Sequence, residues 1–374
     1  MDAVYYGLTA TGAVLLIWYY IVWWQAERPK AGTLEWIDRW ERPCLALPSC
    51  GKALCRADAL WALAPFFVAA CSSMLLQAED ALYGGSLGVI AHFPSGLYLS
   101  GETVCAALAA AAAYLAGKAL TGRTLAALAG ALLYAVQPTD ELTSCLLLGA
   151  GLLLWLWAAY PGSGAADWAL LLCGSLLAGA AVFSFYLYAA ALAFAAVLAF
   201  LLIHRVGRGE LPIRHALLRG ACALGAAIAG FVAASSLIGE VPLFAGEYFP
   251  WLREFLREEG AVFADWLCGA TLAERLPVAP MLLSGLVPLC LMWKERRDGA
   301  ALYILLWAVP VTLHYVLAPA LFQLAPAALV CAYLTGRLLE REQPVAAWLG
   351  AAGAIAVLGL QDILWNWLSM TFYF

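Results

Sequence analysis

Charge is scarce in this sequence. Only 12% of its 374 residues are Asp, Glu, Lys or Arg, while 65% are hydrophobic. A soluble globular chain carries about 25% charged and about 45–50% apolar residues. A water-soluble fold of this length would need more polar surface than 20 Lys+Arg and 25 Asp+Glu supply. The net charge is −5 and no basic stripe is left once the loops are counted, which speaks against a nucleic-acid partner. Cys44, Cys50 and Cys55 have no nearby His to complete a four-ligand zinc site. Most other cysteines lie in apolar runs, where Cys acts as a small hydrophobe. Cys268 falls alone in an outer loop, so no disulfide is implied within that face.

What the chain has instead is long apolar runs, and these predict an all-α polytopic membrane protein. A crossing needs about 20 mostly apolar residues. The runs are Val4–Trp24, Leu60–Gln77, Thr103–Leu120, Leu125–Gln137, Leu142–Tyr160, Leu217–Leu237, Pro280–Trp293, Ala300–Tyr315, Leu317–Thr335 and Val345–Trp367, with two more inside Trp168–Ile203. That last stretch has no charge, and as one helix it would measure about 54 Å, too long for a single crossing. Two crossings broken near Ser184 bring the total to about twelve.

The basic residues orient the chain. Alternate loops hold Arg28, Lys30, Arg39, Arg42, Lys52 and Arg56; Lys118 and Arg123; Arg205, Arg208, Arg214 and Arg219; Lys294, Arg296 and Arg297; and Arg337 and Arg341. These are seventeen of the 20 Lys+Arg, and the positive-inside rule makes their loops cytoplasmic, with both termini outside. Val4–Trp24 lacks a basic n-region and is expected to be an anchor, not a signal peptide. Leu34, Trp36, Ile37 and Trp40 recur at helical spacing among charges, as in an interfacial helix.

The outer loops carry the chemistry-bearing residues. Glu79 and Asp80 follow the second crossing and open a charge-free, glycine-punctuated stretch that contains His92 and closes at Glu102. Asp140 and Glu141 form a second acidic pair, where Thr139 or Asp140 also suits a helix N-cap and Glu141 the helix dipole. In Gly239–Val278, the segment Pro250–Glu259 places Trp251, Leu252, Phe255 and Leu256 on one face, with Arg253 and Arg257 on the other. It suits an interfacial helix or a lid over an outward pocket. With Arg275 these are the only outer arginines. Ionisable residues are nearly absent mid-span, unlike in ion-coupled transporters. His314 and Asp362 fall toward outer helix ends.

Three segments in this order resemble the GT-C class of integral-membrane glycosyltransferases, which includes protein O-mannosyltransferases and aminoarabinose transferases. They are GRTLAALAGALLYAVQPTDELTSCLLLGAGLLLWLWAAY, LLAGAAVFSFYLYAAALAFAAVLAFLL and LHYVLAPALFQLAPAALVCAYLTGRLL. The last is similar to the family's Arg-Tyr-x-x-Pro segment, with His314 in place of the arginine. The resemblance implies a module over 59–341, preceded by an extra helix and cytoplasmic loop (1–58) and followed by a final helix (342–374). It implies a polyprenyl-phosphate sugar donor, a lipid, glycan or protein acceptor, and inverting transfer at the extracytoplasmic face of a bacterial plasma membrane. Glu79 and Asp80 would be the catalytic acids. Arg253, Arg257, Arg275 and His314 would meet the lipid phosphate, and Asp140, Glu141, Glu102 and His92 would form a secondary acidic site. A divalent Mg or Mn, if used, would fall to Asp80, Asp140 or Glu141. A transporter or flippase of an amphipathic lipid is the alternative from another class, though no internal repeat is visible. An envelope-polysaccharide polymerase and a structural membrane subunit share the composition equally.

Overall fold

The computed structural model describes residues 54, 56–83, 101–136, 138, 141–159, 164–184, 188–207, 209–237, 292–296, 298–317 and 324–354. The expected leading helix Val4–Trp24, the interfacial segment around Trp36 and the Pro250–Glu259 helix lie outside the described residues. The described chain is helical, with no strand among the described residues. In order the helices are α1 (Arg56–Tyr83), α2 (Gly101–Thr121), α3 (Thr124–Val136), α4 (Glu141–Ala159), α5 (Ala165–Ser184), α6 (Tyr188–Gly207), α7 (Ile213–Leu237), α8 (Gly299–Leu317), α9 (Leu324–Glu340) and α10 (Pro344–Ala354).

Six of these, α1, α2 and α4 to α7, are long and apolar enough to cross a membrane. The apolar stretch 168–203 is indeed shared by two helices, one ending at Ser184 and the next beginning at Tyr188. Helix α3 is shorter than a crossing requires. Its 13 residues reach about 20 Å, against a hydrocarbon core about 30 Å thick.

Helix α2 lies at the centre, packed against α1, α3, α4 and α9. Alanines make this possible: Ala106, Ala107, Ala109, Ala110, Ala113, Ala116 and Ala119 are all buried, around more than one side of the helix. Without bulky side chains the neighbours approach closely, and dispersion between helices replaces the hydrophobic driving force that lipid removes. Two tight turns set the connections. Gly122 takes the left-handed conformation (φ 70°) after α2, and its N–H bonds the Lys118 carbonyl at 2.8 Å. Gly209 (φ 71°) does the same service between α6 and α7, where Pro212 precedes the first turn of α7.

Two helix crossings depend on having no side chain at all. A Cβ at Gly179 of α5 would run into the Ala227 carbonyl of α7, and one at Gly230 of α7 into the Leu176 carbonyl of α5. On α3, a Cβ at Gly130 would meet the Ala328 carbonyl of α9. Gly225 faces open space. Gly179→Ala is therefore expected to destabilise the fold by about 1–3 kcal/mol, the usual cost of overpacking. Gly225→Ala should stay within about 0.5 kcal/mol of wild type, as exposed substitutions do. Thermal unfolding of the purified protein compares the two directly.

Candidate functional site

Following the polar contacts from helix to helix divides the described charges into two poles. At one pole the Tyr114 hydroxyl of α2 donates to Asp58 of α1 at 2.9 Å, and Trp155 Nε1 of α4 donates to the Ala119 carbonyl at 3.2 Å. The Trp155 ring packs against Tyr303 of α8 at 4.9 Å. The space beside Gly336 of α9 is filled by Thr121 of α2. On the same side, Tyr333 donates to Asp298 at 2.5 Å, while Glu295 receives Arg337 at 3.0 Å and Arg341 at 2.8 Å. Burial works against the charge of Arg337, but Glu295, Tyr333 and Glu340 outweigh it and hold the guanidinium pKa above its ordinary value. Every Lys and Arg among the described residues lies at this pole.

Its most enclosed part is a charge cluster. Asp167, in the first turn of α5, is buried and pairs with Arg205 Nη1 at the end of α6 (3.0 Å) and with Arg219 Nη1 of α7. Arg205 also bonds the Trp157 carbonyl of α4 at 3.4 Å and lies over the Trp157 ring, 4.7 Å from its centroid. Arg219 stacks over Trp168 at 5.2 Å. Glu210 Oε2 stands 3.6 Å from Arg205 Nε. Four helices thus meet at one carboxylate and two guanidiniums. The sequence pattern gives no sign of these partners, although Asp167 is the sole charged residue between Leu142 and Ile203.

The opposite pole carries carboxylates. Glu102 occupies the first turn of α2 and Glu141 opens α4, each where the helix dipole favours an anion. These helices run side by side, and Cys105 lies within electrostatic reach of both acids. Glu102 is exposed and Glu141 half-buried. The structure therefore places two of the four residues of the expected secondary site at the same end of two adjacent helices. Its other two, Asp140 and His92, lie outside the described residues, as do Arg253, Arg257 and Arg275.

Glu79 and Asp80 are placed differently from the sequence expectation. They do not open a loop: the backbone stays helical to Tyr83. The run Met74-Leu75-Leu76-Gln77-Ala78-Glu79 consists of strong helix formers, and the first breakers are Gly84 and Gly85. Helix α1 packs antiparallel along α2, so counting from the Asp58–Tyr114 contact brings Glu102 level with Ala70. The acidic pair then sits about 14 Å further along α1, at 1.5 Å per residue. Their side chains, and that of His314 within α8, are outside the described set. Among the described residues no three His, Cys, Asp or Glu side chains gather to hold a metal. Of the three metal candidates, only Glu141 has a described side chain.

Compared with protein-family models, curated proteins and solved structures, the chain matches none.

The buried cluster yields a direct test. Asp167→Asn leaves two enclosed guanidiniums facing a neutral amide, and removing one partner of a buried ion pair costs about 3–5 kcal/mol. Arg337→Gln breaks a partly exposed pair, for which about 1 kcal/mol or less is expected. Thermal unfolding in detergent should rank the two variants in that order.

Proposed function

We propose that this membrane protein transfers a sugar from a polyprenyl-phosphate donor to a lipid, glycan or protein acceptor at the extracytoplasmic face, with inversion. The basic pole is then cytoplasmic and the acidic pole faces out, in a GT-C-like arrangement of about twelve crossings. One observation carries this reading: charges leave the middle of every described helix clear, and at one pole the charged side chains among those described are carboxylates. Transporters of charged solutes keep ionisable groups at the midplane. Chemistry at a membrane edge needs them at an end.

The donor's isoprenoid tail stays in the bilayer and presents its phosphosugar at the acidic pole. A carboxylate of the Glu79–Asp80 pair takes the proton of the acceptor hydroxyl while that oxygen attacks the anomeric carbon. The bond from the anomeric carbon to the phosphate oxygen breaks, and polyprenyl phosphate departs with the bonding electrons. Its negative charge requires a cation, for which Arg253, Arg257, Arg275 and His314 are the outer candidates. On a helix, adjacent positions are about 100° apart around the axis, so one member of the acidic pair faces a given substrate and the other does not.

A general base contributes about 10²–10⁴-fold to rate. Either Glu79→Gln or Asp80→Asn should lower turnover of a polyprenyl-phosphate sugar by that order at unchanged melting temperature, and the other variant by much less. Asp140→Asn should also do less. Undiminished transfer by both variants would remove the site assignment. If the purified protein neither consumed nor bound a lipid-linked sugar, the flippase alternative would take its place.

A further inference from the structure

We draw no further inference here: the strongest candidate, the exposed face of α7 on which Ala221, Gly225, Ala229 and Ala233 recur every fourth residue beside Leu224 and Ile228, is a stripe of small residues on an apolar helix face, and nothing in the structure shows what covers it.

Discussion

Asp167 is a carboxylate almost without access to water, held between two guanidiniums from different helices. Burying such a group alone is costly, and its partners repay that cost only in good geometry. The constraint therefore reaches well beyond three side chains. Asp167 opens α5, Arg205 closes α6, Arg219 lies in the second turn of α7, and the Trp157 carbonyl ties in the end of α4. A slip of one turn moves a helix by about 5.4 Å, which would separate these charges. Elsewhere the helices meet through alanine and glycine, where Gly179 and Gly230 let α5 and α7 touch backbone to backbone. Such contacts permit close approach, and the ion pairs at one end are compatible with a single register of these helices.

Gathering the cations at one pole has a consequence for the other. The described arginines and lysines there are largely engaged with Asp167, Glu295, Glu340 and local carbonyls. Glu102 and Glu141 stand at the far end, at the starts of two adjacent helices, with no Lys or Arg there among the described residues. The two ends of the bundle thus suit different tasks. One is cross-linked by charge and holds the helices in place, and the other presents carboxylates toward the membrane edge.

The sequence is legible where its physics is local. Apolar runs and loop charges give the helices, and the excessive length of 168–203 gives the break after Ser184. Two acids after an apolar stretch look like the start of a loop at 79–80, while helix propensity carries α1 on to Tyr83. The role of Asp167 is not legible in the sequence, because its partners lie 38 and 52 residues away and meet it only through the packing of α5 against α6 and α7. Its isolation in a long uncharged stretch was the available signal. The closeness of Glu102 and Glu141 to Cys105 similarly depends on α2 and α4 running side by side.

The separation of the two poles across a bilayer is open to direct measurement. Single cysteines are placed at 102 and 141 on one side and at 123 and 214 on the other, on a cysteine-free background. A membrane-impermeant maleimide is then applied to intact cells. The account predicts labelling at 102 and 141 from outside, and at 123 and 214 only after the membrane is opened. Labelling of position 214 in intact cells, with 102 protected, would contradict the orientation and remove the acidic pole from the face where transfer is proposed.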